Sequence, residues 1–524
     1  MEPAQTRPFY NFVPVEISTF TLERFCTFSD LLTFSQVSRS ADWLAHSVRN
    51  FSHEKIKRIV TRIINIDDAK ALEKFQKRMF PVKELNFPET KLGEVETGFI
   101  LGFMENNPEL AVLNIPLSSS WRIVSNLNSF CRTLKKCSQL RVLDLPIEKQ
   151  TEDNLSQLFS SIATKSLEVL TMRKSFYSKQ NIGEITAVIR KNPHLRVVRT
   201  PMSVPKSEDL SPYLESVEAL KALKAVELRF LQEGLISPSV LTTASLLKNL
   251  EWLDLSNCVF DKERVAQLKT VLERQVCLKS LSLTGSKFKG KSARIRSPFD
   301  VPHLFHHLEI LGLKDSELCG APSLNIFCKA LKDPECSLRE FSLSREGLRI
   351  RENRLKFIES LKANHSLRAL HMQLSGPRQV FRAFSEYLQS CGLEYIRLHI
   401  LAIADTFAID VIKGIGQNIT LQEISITGFT IPDDDRNDFL HLIKTHPSMK
   451  RFSCRIHLFH SWATKEANAR MIKILEAIKD NQTLEKFELQ NPPSSYFNEH
   501  EVGQKKSLQT IIDAYGETNR VLIS

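Results

Sequence analysis

One motif, LxxLxL, recurs fifteen times and constrains this chain more than any other feature. The copies begin with "VKELNF" at 82, "LAVLNI" at 110, "LRVLDL" at 140, "LEVLTM" at 167, "LRVVRT" at 195 and "LKAVEL" at 223. They continue with "LEWLDL" at 250, "LKSLSL" at 278, "LEILGL" at 308, "LREFSL" at 338, "LRALHM" at 367, "LEYIRL" at 393, "LQEISI" at 421, "MKRFSC" at 449 and "LEKFEL" at 484. Steps between copies run from 26 to 30 residues, apart from the last, which is 35. A chain that repeats at this period grows as an array of small units, each burying its apolar face on its neighbours. The alternation within the motif is that of a strand. Positions 4 and 6 point one way, into a core, and positions 3, 5 and 7 the other.

Between copies the apolar spacing is helical. "RLKFIESLKANHSL" carries Leu355, Ile358 and Leu361 three residues apart, predicting a buried stripe. Asn precedes the first repeat leucine by three residues at Asn107, Asn192, Asn364, Asn418 and Asn481. Asn tolerates the left-handed backbone that commonly ends a helix, so these five are expected to be helix stops. Period, strand pattern and Asn phase together resemble the leucine-rich repeat, in its ribonuclease-inhibitor class. Cys258 fits that family's Asn/Cys slot. The resemblance implies an α/β solenoid with a parallel sheet on the concave face and helices on the convex face, over residues 82–504. Residues 505–524 are expected to cap its C-terminal end.

The repeats stop short of the N-terminus. Residues 13–47 contain Val13-Pro14, Glu16-Ile17, Leu22 with Phe25, Asp30-Leu31-Leu32, Val37-Ser38-Arg39 and Trp43-Leu44. Pro14 suits a first helical turn and Ser29 or Asp30 a helix cap. The order resembles the F-box, a three-helix module that binds the Skp adaptor of cullin-based ubiquitin ligases. The resemblance implies an F-box-like helical module at 1–50, with Pro14, Ile17, Leu22, Phe25, Leu31, Leu32 and Val37 binding the adaptor. A plain helical cap over the first repeat's apolar end remains the alternative reading. Residues 51–81, with "HEKIKRIVTRII" and "AKALEKFQKRMF", predict a helical connector and N-terminal cap without a flexible linker.

"GSKFKGKS" at 285–292 fits the phosphate-cradling pattern GxxxxGK(S/T) and follows a strand. A phosphate loop needs a helix of several turns beginning at Lys291 and Ser292. Pro298 and Pro302 arrive too soon for one. The stretch is read as a solvated basic loop of Lys287, Lys289, Lys291, Arg294 and Arg296, with a phosphate or nuclear-import contact as a second reading. "HLFHH" at 303–307 and "HLFHSW" at 457–462 lack a ligand-spaced partner, so no metal is expected. No GxSxG is present, and Cys26, Cys277 and Cys336 are read as packing residues. The chain is therefore not expected to be an enzyme or to carry a cofactor.

Composition bears on the partner and compartment. The 524 residues carry a net charge of +11, yet residues 1–50 hold four Arg and no Lys against five acids, leaving +12 for the rest. Anionic partners are expected on the later part. Ten scattered cysteines without a CxxC pair, no long apolar run, and an N-terminus unlike a secretory leader predict a cytoplasmic or nuclear protein. Neither a membrane nor nucleic acid is expected as partner.

The resemblance implies a non-catalytic substrate receptor of a Skp–cullin–F-box ubiquitin ligase, with the Skp adaptor and cullin as partners. The alternative is a repeat scaffold or inhibitor that binds a protein without ubiquitination. Positions 3, 5 and 7 place Arg173, Arg199 and Arg229 on the concave face as one cationic group. They place His371, Arg397, His399, Arg451 and Arg455 there as another. Trp252 and Tyr395 are candidate anchors. Arg recognises carboxylate or phosphate with two parallel bonds, so the expected target offers an acidic or phosphorylated segment. Glu227, Asp254 and Glu340 share the face and make it patchy.

Overall fold

The computed structural model describes residues 84–86, 101–102, 104–105, 107–114, 127–146, 152–163, 165–173, 179–200, 210–228, 234–288, 297–301, 303–316, 321–343, 351–401, 406–429, 436–456, 465–489 and 521–523. Segments 1–50 and 51–81, and with them all seven adaptor-binding candidates, lie outside these residues, as does nearly all of 505–524. The chain divides into two compact units, Met1–Gln232 and Glu233–Ser524.

In the first unit the strands β1 (Glu84–Asn86), β2 (Val112–Asn114), β3 (Val142–Pro146), β4 (Val169–Arg173), β5 (Val197–Arg199) and β6 (Ala225–Glu227) pair in chain order, all parallel. Each is one copy of the motif, and equivalent positions sit in register. Leu113, Leu143, Leu170, Val198 and Val226, all at position 4, are fully buried. Each such burial is worth roughly 1.5–3 kcal/mol. Helices such as Leu127–Lys136 and Lys179–Lys191 connect the strands. In the former, Leu127, Phe130, Cys131 and Leu134 form the buried stripe, and Lys135 and Lys136 occupy the last turn, where the helix dipole favours cations. Thr200 is a polar residue in a position-6 slot. Its hydroxyl meets the Tyr213 hydroxyl at 2.8 Å, so two buried polar groups satisfy each other.

The second unit repeats the plan. Strands β7 (Trp252–Asp254), β8 (Ser280–Ser282), β9 (Ile310–Leu313), β10 (Glu340–Leu343), β11 (Ala369–Ser375), β12 (Tyr395–Leu401), β13 (Glu423–Phe429), β14 (Arg451–Ile456) and β15 (Lys486–Leu489) form one parallel ladder. All fifteen motif copies are thus strands of a leucine-rich-repeat solenoid. A sixteenth strand, β16 (Val521–Ile523), joins β15 in parallel through Phe487 and Val521. Its segment, "TNRVLI", is a weak copy of the motif with Thr518 at position 1. In the helix Arg351–Lys362, Ile358 and Leu361 are buried as the spacing predicts, but Leu355 is only half-buried. Phe357 takes the core place instead, its ring 6.0 Å from that of Phe341.

Each strand of this unit must turn sharply toward the helices. Residue 8 of the repeat does so in the left-handed region at Asn257 (φ 59°), Gly285 (φ 68°) and Asp315 (φ 55°), whereas Gly428 (φ 83°) lies inside β13, where the register with β14 shifts. Asn, Asp and Gly are the residues that accept this conformation.

The five Asn three residues before the motif do something else. None has a positive φ, so the expectation of left-handed helix stops is wrong. They are clamps. Asn418 donates from Nδ2 to the carbonyl of Leu388 at 2.6 Å, at the end of the preceding repeat's helix. Its Oδ1 accepts from the N–H of Leu421 at 2.8 Å, the first residue of its own motif. Asn364 does the same between Leu331 and Leu367, and Asn481 between Ile443 and Leu484. A carboxamide is required because one side chain must donate and accept at once. Other repeats fill the slot differently. Gln275 donates to the carbonyl of Ala244 at 2.6 Å. In the repeat of Leu167, the buried Lys165, two residues before the motif, donates to the carbonyls of Lys135 and Cys137, and burial pushes its ammonium pKa down. His446 accepts at Nδ1 from the N–H of Met449 at 3.1 Å.

Candidate functional site

Register turns the open face of the second unit into a grid. The position-3 row reads Trp252, Ser280, Ile310, Glu340, Ala369, Tyr395, Glu423, Arg451, Lys486. The position-5 row reads Asp254, Ser282, Gly312, Ser342, His371, Arg397, Ser425, Ser453, Glu488. His399 stands at position 7 between Gln373 and Thr427, and Arg455 follows Thr427 in the same row. Adjacent strands lie about 4.8 Å apart, so β11 to β14 bring the second predicted group into one region.

The charges in this region are unequal in availability. Arg451 is paired with Glu423 of the neighbouring strand. Lys486 lies 4.0 Å from Glu488. Arg397 is exposed and, among the described residues, faces no carboxylate partner; the same holds for Lys314, at position 7 of its repeat. His371 stacks on Tyr395, with ring centroids 4.9 Å apart, and its Nε2 is 3.9 Å from Glu340. Burial, then Arg397 and Lys314, pushes its imidazole down to about 4. His371 is therefore neutral at pH 7, with a field from two cations across it. His399 Nδ1 lies 2.9 Å from the Thr427 hydroxyl. Ser425, in register beside Arg397, is 8% exposed.

The first group is arranged less favourably. Arg199 stands at position 5 beside Thr171 and Glu227, in the row that also holds Asp144. Arg173 stands at position 7, beside Pro146, two residues further along its strand. Arg229 lies outside the described residues. Trp252 shares a row with Tyr395 but five strands away, about 24 Å at the usual spacing, so the two anchors do not serve one small contact.

Of "GSKFKGKS", residues 285–288 are described and start the repeat's return path, while Lys289, Lys291, Arg294 and Arg296 of the expected basic loop lie outside the described residues. A Cβ on Gly285 would collide with the carboxamide of Asn257, the equivalent residue one repeat earlier. Lys287 and Phe288 pair with Val259 and Phe260 in a short parallel ribbon that also contains Gly234–Leu235. Further on, Ser297–Asp300 is a turn that drops Phe299 into the core, 5.1 Å from the ring of Phe327. His303, His306, Asp333 and Glu335 cluster through contacts of 3.2–3.3 Å, yet no group suited to a metal ion exists among the described residues.

Single-repeat inspection also misses a charge ladder at position 2. Arg141 meets Glu168 at 3.6 Å, Lys279 meets Glu251 at 3.7 Å, Arg339 meets Glu309 at 4.0 Å and Arg368 meets Glu394 at 3.7 Å. The signal was available, since position 2 often changes sign between successive motifs.

No family model matches the chain, and no curated protein matches it. Solved structures with repeat likeness include a leucine-rich-repeat protein of Leptospira interrogans, 16% identical over 87% of this chain and 98% of that one, TM-score 0.28. An internalin from Listeria monocytogenes is 12% identical over 80% of this chain and 94% of its own, TM-score 0.28. Actin-binding site 2 of leiomodin-1 is 14% identical over 36% of this chain and 97% of its own, TM-score 0.23. The repeat architecture itself rests on the register and burial of the fifteen motif strands. No helix among the described residues is long and apolar enough to cross a membrane.

Proposed function

We propose that this chain is the substrate-recognition subunit of a Skp–cullin–F-box ubiquitin ligase. The observation that carries the binding half is the unpaired Arg397, with Lys314 three strands away, on the open face beside stacked His371 and Tyr395. A rigid parallel sheet holds these groups in fixed register, which suits recognition of an extended partner segment. The adaptor half is supported by the F-box resemblance of residues 13–47. In this reading the chain performs no chemistry. It raises the effective concentration of target lysines near the charged ubiquitin enzyme, in the cytoplasm or nucleus.

Two experiments test the halves separately. Leu31→Asp with Leu32→Asp should abolish co-purification of the Skp adaptor while leaving the repeats folded, because solenoid stability is mostly local. Retention of the adaptor by that double variant removes the F-box reading. Proximity labelling with the ligase-dead assembly should identify a target whose capture is lost on Arg397→Glu. Arg199→Glu with Arg229→Glu tests the first-unit group in the same way, and full target capture by both charge reversals rejects the open face as the site.

A further inference from the structure

The described strands of the first unit all run the same way, so its helices end on one edge, where the next strand begins. That edge collects cations. Lys135 lies in the last turn of the helix Leu127–Lys136, and Arg190 and Lys191 lie in the last turn of Lys179–Lys191. Arg196 follows at position 2 of its motif, and Lys221 stands two residues before the next motif. All five are exposed, and none has an ion-pair partner among the described residues. Of the acids on this edge, Glu105 is held by Lys136 and Glu168 by Arg141, each at 3.6 Å. Glu109 and Glu218 are exposed and pair with none of the five. The helix dipole favours cations at helix ends, but Arg196 and Lys221 lie beyond the helices. The position-2 ladder also breaks here. Backbone bonds of 2.7–2.8 Å join Arg141, Glu168, Arg196 and Lys224 strand to strand. With Glu168 taken by Arg141, Arg196 stands beside a second cation, Lys224. Like charges opposite each other on neighbouring strands are destabilising, and a bound anion would offset that cost.

We infer that this edge of the first unit, through Lys135, Arg190, Lys191, Arg196 and Lys221, docks the phosphate backbone of duplex DNA. The surface is separate from the open face of the sheet and does not depend on the F-box reading. Protein interfaces are depleted in Lys and lean on aromatic anchors, whereas contacts to a phosphate backbone are made by Lys and Arg. The edge segments 132–141, 163–168, 190–197 and 218–225 hold no Phe, Tyr or Trp. A single strand needs such rings to stack its bases, while a duplex keeps its bases inside and presents phosphate outward. Duplex RNA is recognised largely through its 2′-hydroxyls, and the exposed neutral neighbours Pro193, Ala219 and Ala222 have no side-chain group to bond them. Composition pointed away from a nucleic-acid partner because net charge does not say which cations lack a carboxylate.

The test uses the full chain and a fluorescent DNA duplex of about 20 base pairs, read by anisotropy as salt rises from about 50 to 200 mM. Affinity should fall with a log–log slope of about −4, the value for four or five phosphate contacts. Lys191→Ala with Arg196→Ala should weaken binding alike for duplexes of any sequence and make the slope shallower by about 2. Lys191→Arg with Arg196→Lys keeps both charges and should leave the slope unchanged. Lys329→Ala with Lys332→Ala removes the same charge from exposed positions of the second unit and should also leave it unchanged. The substituted side chains are all exposed, so each variant should melt as the parent does. No binding at low salt, an unchanged slope in Lys191→Ala with Arg196→Ala, or an equal loss in the second-unit control overturns the inference. Tighter binding of single-stranded DNA or of an RNA duplex also overturns it. So does displacement by polyglutamate at matched charge, which would assign the edge to an acidic protein.

Discussion

His446 shows how much one buried side chain can carry. It takes the place that Asn holds in neighbouring repeats, accepting from Met449 at Nδ1 while Nε2 is buried without a hydrogen-bond partner. Burial pushes its pKa down to about 4, so it is neutral in the folded chain at pH 7. The ordinary value is about 6.5. With the folded pKa below the unfolded one, the stabilisation is fully present above about pH 6.5 and is lost as pH falls toward 4. The loss amounts to about 3 kcal/mol. His446→Asn should keep the clamp and flatten this acid limb, measured by urea unfolding at a series of pH values. An equal acid loss in both proteins would assign the pH dependence elsewhere. Asn418→Ala removes a donor and an acceptor together, leaving the carbonyl of Leu388 and the N–H of Leu421 without that partner. It should cost about 2–4 kcal/mol in denaturant unfolding. Asn418→Asp should not rescue it, because a carboxylate cannot donate to the carbonyl of Leu388.

At the scale of the element, the strand is the rigid part and the rim is the cheap part. Leu398 on β12 is fully buried and flanked in register by Met372 and Ile426. Leu398→Ala should cost about 2–5 kcal/mol. Amide exchange should speed up most in β11, β12 and β13, since each repeat leans chiefly on its neighbours. Uniform exchange across the second unit would show that it unfolds as one block instead. The position-2 ladder should behave oppositely. A double-mutant cycle on Arg339, which is exposed, and half-buried Glu309, 4.0 Å apart, should give less than about 1 kcal/mol. The ladder's value lies in register, where a one-rung slip would set some like charges side by side.

At the scale of the molecule, the uneven charge has a consequence for binding. The net +12 beyond residue 50 should draw an acidic or phosphorylated partner over distance, and added salt should weaken that attraction within a Debye length of about 8–10 Å. Target affinity should therefore fall as salt rises from low to physiological strength, measured by anisotropy. Adaptor binding through the apolar F-box-like residues should respond far less. A target whose affinity is indifferent to salt would argue for apolar contacts around Trp252 and Ile310 in place of the Arg397 cluster.

The sequence by itself determined the repeat, because burying an apolar side chain on alternate strand positions needs only a pattern of residue types. Fifteen motif copies became fifteen parallel strands for that reason. It also determined which residues face outward, and so named Arg397, Tyr395 and Arg451 among many. It did not determine which of them are free. That depends on neighbours 26 to 35 residues away, which only the register brings alongside: Glu423 beside Arg451, Ser425 and His371 beside Arg397. The Asn clamps divide in the same way. Their phase was legible, but their bonds reach across to the helix of the preceding repeat, and only the stacked structure places that helix's last carbonyl within 2.6 Å of the Asn418 carboxamide nitrogen.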